Sequence, residues 1–163
     1  MNHTMRRLAF DLTVWVASLF AALALVAHEA MAGNHVFAAD NARWKAECGS
    51  CHIAYPPQLL PAPAWGRILS GLDRHFGVDA SLDAASAAEI GAFLERNAAS
   101  GRRAREQAQS LRVTESAWFR HEHDEVPAAA WKHPAVKSPA NCAACHTTAE
   151  QGDFRERNIR IPR

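Results

Sequence analysis

All four cysteines of this 163-residue chain fall in two copies of one short pattern, Cys48-Gly49-Ser50-Cys51-His52 and Cys142-Ala143-Ala144-Cys145-His146. None is left over, and a histidine follows each copy at once. Residues three apart on a helical turn share a face, so both thiols of one copy can add to the two vinyl groups of a single haem. The next residue then reaches the iron. The pattern assigns Cys48, Cys51, Cys142 and Cys145 to covalent cofactor attachment, and His52 and His146 to the proximal side of two irons. Three other chemistries use paired cysteines. A four-thiolate zinc site draws its knuckles closer together than these, which lie nearly a hundred residues apart. A thioredoxin-like pair needs a strand-turn-helix context and gives no reason for the two histidines. Structural disulfides suit an exported chain with an even cysteine count, but a bridge inside Cys-x-x-Cys is unusual as a staple.

Composition points the same way. Hydrophobic residues make up 48% of the chain, yet alanine supplies much of that figure and bulky core formers such as Phe, Ile and Val are sparse. The length suits one domain, or two small lobes that share a core. Two large apolar porphyrins buried inside would supply core that the side chains lack, so folding is expected to depend on the cofactor.

Arg6 and Arg7 lead into an apolar stretch from Leu12 to Ala27, followed by the small-x-small sequence Ala30-Met31-Ala32. Residues 1–32 are therefore expected to be a signal peptide removed after Ala32, with an uncleaved membrane anchor as the alternative. Asp11 is a blemish for export, but the stretch is short of the about 20 apolar residues that span a bilayer. Loss of residues 1–32 removes Arg6, Arg7, Asp11 and Glu29, two of each sign, so the net charge stays at +1. Haem propionates would make the holoprotein mildly acidic, which argues against nucleic acid or another polyanion as partner.

The methionines are Met1, Met5 and Met31, all within the segment expected to be cut away. A Met/His iron is then ruled out, and the sixth ligands are histidine or absent. The candidates are His35, His75, His121, His123 and His133. His75 lies on the apolar stripe of a helix predicted from Pro63 to Phe76, with Trp65, Ile68, Leu69 and Leu72, and Gly77 ends it. A second helix is predicted from an N-cap at Thr114 through Trp118, Phe119, His121, His123 and Val126. Phe119, His123 and Val126 share one of its faces, while His121 falls nearer Ala117 and Trp118, so periodicity leans to His123 and leaves both open. His133, before Pro134, reads as a turn residue and His35 as part of a frayed terminus.

Elsewhere, Asp40 is a predicted cap for a helix running through Trp44 into the first motif, and the prolines from Pro56 to Pro63 mark a loop. A helix is predicted from Ala84 to Ala99, capped near Ser81 or Asp83, with Ala87, Ile90, Phe93 and Leu94 on one side. Ser138 and Pro139 start the turn holding the second motif. No stretch shows strand alternation. The expected fold is all-α, with extensive loops and two small haem-binding lobes, residues 33–100 and 111–163. Residues 101–110, rich in arginine, read as a solvated linker. The tail arginines Arg155, Arg157, Arg160 and Arg163 are interleaved with Asp153 and Glu156 and read as scattered surface charge.

Longer phrases around these motifs carry a resemblance. They are residues Trp44 to Pro57, Gly71 to Gly77, Trp118 to His123, Asn141 to His146, Gly152-Asp153-Phe154, and Ile159 to Arg163. Together they resemble the DHC-type dihaem cytochrome c family, whose first lobe is similar to a small cytochrome c. The resemblance implies two haem c groups with bis-histidine iron, His75 serving the first and the Glu122-His123 pair favouring His123 for the second. His121 departs from the family pattern. The resemblance also implies transfer of electrons in the periplasm between a membrane cytochrome b and an oxygen-binding monohaem cytochrome c. Contact with the membrane itself would be transient, or through an uncleaved N-terminus.

The expected function is thus a periplasmic electron carrier, not an enzyme, working between a membrane cytochrome or quinol donor and a soluble redox partner. The alternatives are a haem enzyme or gas-binding protein with one five-coordinate iron, and a zinc-stabilised binding module.

Overall fold

Asp83 opens the longest helix among the described residues by accepting hydrogen bonds from the Ala85 and Ser86 amides, both at 2.9 Å, on one carboxylate oxygen. Its other oxygen takes the Ser86 hydroxyl at 2.6 Å. The hydroxyl and amide bonds of Ser86 hold the Asp83 carboxyl below its usual range. The computed structural model describes residues 35–107 and 110–162. The predicted export segment, its cleavage site and the methionines lie outside them.

Among the described residues there are six short helices: α1 (Ala42–Cys48), α2 (Ala62–Leu69), α3 (Ala84–Asn97), α4 (Gly101–Glu106), α5 (Ala117–Glu122) and α6 (Ala128–Trp131). Single 3₁₀ turns lie between α1 and α2, α2 and α3, and α4 and α5, three more follow α6, and among the described residues β-structure is limited to isolated bridges. The fold is all-α, as the sequence implied. Residues His35–Arg163 form one compact unit.

The core is built where α1 and α2 pack on α3. Trp44 of α1 meets Phe93 of α3 at 5.1 Å between ring centroids. Trp65 of α2 is buried and donates its indole N–H to the Pro57 carbonyl at 2.8 Å, which meets the polar requirement of a buried indole. Ile90 and Leu94 fill the centre. Val113 and Phe119 belong to the same buried cluster, so residues from beyond the arginine-rich segment share the core of residues 40–100.

Several local expectations differ from the structure. The cap of α1 is Asn41, whose side chain accepts from the Trp44 amide at 2.7 Å, while Asp40 pairs with Lys45 at 2.9 Å. The helix predicted to run to Phe76 stops at Leu69. Ser70 turns its hydroxyl back onto the Arg67 carbonyl at 3.0 Å and Gly71 follows, two residues that hold a helix poorly. The helix predicted from Thr114 starts after Ser116, whose hydroxyl accepts the Phe119 amide at 3.0 Å; Thr114 itself sits in a 3₁₀ turn. It ends at Glu122, where Asp124 and Glu125 oppose the helix dipole and Pro127 prevents continuation. The arginine-rich linker forms α4, and its Arg103 guanidinium lies 4.6 Å from the Trp118 ring centroid.

His35 is not frayed. Its carbonyl accepts the Phe154 amide at 2.8 Å, and its ring stacks with Phe37 and meets Trp118 edge-on. Next to it the Phe37 amide donates to the Gly152 carbonyl at 2.8 Å. Gly152 has φ +72°, and a β-carbon there would stand 2.3 Å from the Phe37 carbonyl oxygen. Gly152→Ala should therefore separate the segment at residues 35–37 from the C-terminal turn. The expected cost is about 1–3 kcal/mol, read as a lowered thermal midpoint by circular dichroism.

Candidate functional site

The first motif begins on the last residue of α1, Cys48, and continues through a turn in which the Ser50 hydroxyl caps the Glu47 carbonyl at 2.9 Å. His52 follows, half-buried, with Nδ1 2.6 Å from the Ile53 carbonyl oxygen. A carbonyl only accepts, so Nδ1 carries the proton and Nε2 keeps its lone pair. His75 reaches the same place from a loop. The 3₁₀ turn Leu72–Arg74 leads into it, and Phe76 (φ +48°) and Gly77 (φ +103°) reverse the chain so that the Val78 amide donates to the His75 carbonyl at 3.1 Å. The His52 and His75 ring centroids stand 6.3 Å apart, with 29° between their planes.

The second motif folds on the C-terminal side. The Asn141 amide donates to the Ser138 carbonyl at 2.9 Å, the turn expected from Ser138 and Pro139. Cys142–Ala144 is a 3₁₀ turn, and the His146 amide closes it onto the Cys142 carbonyl at 2.8 Å. The last residues clamp it, since the Arg160 amide donates to the Cys145 carbonyl at 2.8 Å and the Thr147 amide to Asn158 at 3.3 Å. His123 caps the C-terminus of α5, with Nδ1 2.8 Å from the Phe119 carbonyl, so again Nε2 is the free nitrogen. The His123 and His146 centroids lie 6.0 Å apart and their planes cross at 73°. Phe119 stacks on His123 at 4.1 Å, and Phe154 lies 5.1 Å from His146.

The structure thus brings His52 to His75 and His123 to His146. It does not bring His121, whose side chain is 81% exposed and lies 3.9 Å from Asp124. His133 accepts the Ala135 amide within its own turn.

The two centroid distances test for a metal. A metal–imidazole bond of about 2 Å, plus about 1.1 Å from nitrogen to ring centre, counted on both sides, gives about 6.2 Å. Both pairs match that spacing. Burial, then the charge of His123, lowers the His146 pKa to about 4, and burial, then His52 and Arg112, lowers that of His75. Both are therefore neutral imidazoles near pH 7, the form that binds metal. Phe76 and Val78, two of the exposed large hydrophobics among the described residues, flank His75 where a flat apolar macrocycle would cover them. Among the described residues no three metal-binding side chains cluster; there are two imidazole pairs, and a porphyrin iron needs only two protein ligands.

Cys48 and Cys142, the leading thiols of the two motifs, have the opposite of a redox-active character. Burial first, then Glu47, raises Cys48 to about 11, and burial raises Cys142 to about 11. A thioredoxin-type nucleophile requires a lowered pKa.

Sequence reasoning missed Tyr55. Its ring stacks on His52 at 4.7 Å and its hydroxyl donates to the Ala140 carbonyl at 2.7 Å, two residues before Cys142. That it is the only tyrosine in the chain was visible, but no periodicity marks it. The tail arginines also prove more local than a patch: Arg155 is held by Asp153 and Arg160 caps the Arg157 carbonyl at 3.0 Å.

An all-α unit with two facing imidazole pairs, each containing the histidine of a Cys-x-x-Cys-His motif, defines a c-type cytochrome with more than one haem. The family model described as "Dihaem cytochrome c" matches residues 44–154. Among solved structures, the chain is similar to the dihaem cytochrome c of Rhodobacter sphaeroides at 40% identity, covering 72% of this chain and 99% of that one, with TM-score 0.65. It is also similar to a dihaem cytochrome c of Shewanella baltica OS155, at 44% identity, covering 75% and 93%, with TM-score 0.66. A search of curated proteins gave no match. The chain belongs to the dihaem cytochrome c family, and it is an electron-transfer haem protein carrying two covalently bound haem c groups.

Ser116 is the residue that sets where α5 begins, and through it the position of His123. Ser116→Ala should cost about 1 kcal/mol of stability. A thermal melt of the holoprotein followed in the Soret band should show a midpoint lowered by about 3–5 °C.

Proposed function

We propose that the protein is a periplasmic electron carrier in which His52 with His75, and His123 with His146, ligate two haem irons. The porphyrins are attached through Cys48 and Cys51, and through Cys142 and Cys145. The observation that supports this most strongly is the spacing of the two imidazole pairs, 6.3 and 6.0 Å, each pair containing one motif histidine.

When bound, the haems supply the ferric–ferrous couple. The chain's own residues determine how that couple behaves. The Ile53 and Phe119 carbonyls hold the Nδ1 protons of His52 and His123, which fixes the tautomer and leaves Nε2 free to bind metal. Phe119, Trp131 and Phe154 pack around the second pair and keep water away. Imidazole on both sides, without a thioether ligand, places the reduction potentials below those of Met/His cytochromes. With His52 and His75 holding one iron and His123 and His146 the other, no ligand place would be left for a substrate, and the proposed role is electron transfer.

Export is supported by Arg6, Arg7, the apolar run to Ala27 and the Ala30-Met31-Ala32 sequence. Among the described residues no helix is long and apolar enough to cross a membrane. The proposed donor is a membrane cytochrome b or quinol-linked enzyme, and the proposed acceptor a soluble redox protein such as an oxygen-binding monohaem cytochrome c.

Low-temperature EPR and carbon monoxide titration of the oxidised and reduced holoprotein test the ligation. Two low-spin irons and no carbon monoxide binding are expected. His75→Ala and His123→Ala should each convert one iron to high spin and open it to carbon monoxide, while His121→Ala leaves both unchanged. A high-spin signal in the unaltered protein would instead indicate a five-coordinate, enzyme-like iron. Pyridine haemochrome analysis should give two haems per chain, and one after the double change Cys48→Ala and Cys51→Ala.

A further inference from the structure

We infer that Tyr55 is a positioning residue for the first haem: its ring holds the plane of the His52 imidazole, and its hydroxyl anchors that ring to the turn carrying the second haem motif. The inference rests on the bis-histidine reading above and concerns how the two sites differ and how they are joined.

The two imidazole pairs are not equivalent. The planes of His52 and His75 lie within 29° of parallel, whereas those of His123 and His146 cross at 73°. In low-spin ferric iron the unpaired electron occupies one of two d orbitals that the imidazole π systems split. Near-parallel rings act on the same orbital and separate the two, giving a rhombic EPR signal with resolved features. Crossed rings act one on each orbital, leave them close in energy, and give a broad, strongly anisotropic signal. Ring orientation is therefore readable in the holoprotein, independently of any electron-transfer activity.

The planes are held by different means. In the second site the support for His123 is local, because the Phe119 ring stacks on it at 4.1 Å with 21° between planes, and the Phe119 carbonyl takes its Nδ1 proton. Both come from one turn of α5. In the first site the Nδ1 proton of His52 goes to the carbonyl of the adjacent residue, Ile53, at 2.6 Å, a bond at the ring's edge that leaves its face to be covered from elsewhere. The face of the ring is covered by Tyr55, three residues on, at 4.7 Å with 22° between planes. Phe76 meets His75 edge-on, at 62°, and does not constrain its partner's plane.

Tyr55 is in turn held from the second site. Its hydroxyl donates to the Ala140 carbonyl at 2.7 Å, across 85 residues of sequence. Ala140 lies in the turn set by Ser138, where the Ala140 amide donates to the Ser138 hydroxyl at 3.2 Å. Asn141 continues that turn with a side-chain bond to the Val136 carbonyl at 3.2 Å, and Cys142 follows. A continuous link of packed ring, hydrogen bond and two peptide units therefore runs from the proposed ligand of one iron to the attachment cysteine of the other.

EPR of oxidised holoprotein decides the matter, with His75→Ala assigning the rhombic signal to the first site. Tyr55→Leu removes both stack and hydroxyl; the first-site signal should shift toward the anisotropic type while the second-site signal stays in place. Tyr55→Phe keeps the stack, so its signal should hold its position but broaden, and the thermal midpoint should fall by about 3–5 °C for one lost hydrogen bond. A Tyr55→Leu protein with two haems and an unshifted first-site signal overturns the positioning role. A Phe variant with unchanged line width and midpoint overturns the anchor, and it does so even when the Leu variant fails to mature. A high-spin signal in the unaltered protein instead removes the ligation reading, so the two failures are distinct.

Discussion

Holding two imidazoles across a metal-sized gap constrains a chain more than burying them does, because each ring must arrive from a separate segment with its free nitrogen aimed inward. In this protein His52 comes from the turn after α1 and His75 from a loop after α2, while His123 ends α5 and His146 follows a 3₁₀ turn. Every one of those segments is short. Their positions are set by caps and single backbone bonds, including Asn41 for α1, Ser116 for α5 and the Arg160 amide on Cys145 for the last motif. The helices serve mainly to place these four histidines in two pairs.

That economy shows in the core. Its buried cluster is led by a few large residues, Trp44, Trp65, Phe93 and Phe119, drawn from both sides of the arginine-rich segment. Phe76 and Val78 remain exposed beside His75. A family defined by two covalently bound porphyrins resolves the imbalance, since each macrocycle brings a large apolar face to a chain whose hydrophobic content is largely alanine. Cofactor and core are then parts of one structure, and the shared cluster explains why the two motif regions form a single compact unit.

The places where local reading and structure part are informative. His75 was expected on a helical stripe because Trp65, Ile68, Leu69 and Leu72 keep a helical period, yet Ser70 and Gly71 end the helix and a loop carries the histidine instead. A loop can place an imidazole opposite His52 without tilting a whole helix. His121 and His123 were separable only weakly by periodicity; exposure of the one and the 6.0 Å approach of the other to His146 separate them in space. His35, assigned to a frayed end, is held by Phe37, Trp118 and the Phe154 amide, none of which is near it in sequence except Phe37.

What the sequence determined by itself is the covalent chemistry. Two complete Cys-x-x-Cys-His motifs, with no cysteine to spare, specify the cofactor and its number because attachment depends on spacing within five consecutive residues. Helical class was legible for the same reason, and so was a helix cap near Ser81 or Asp83, which the structure assigns to Asp83. Only the tertiary structure decided which histidine faces which, how the ring planes differ between the two pairs, and that Tyr55 joins one site to the other. Those are relations between residues far apart in the chain, and they are set by how the segments pack and not by any pattern within one of them.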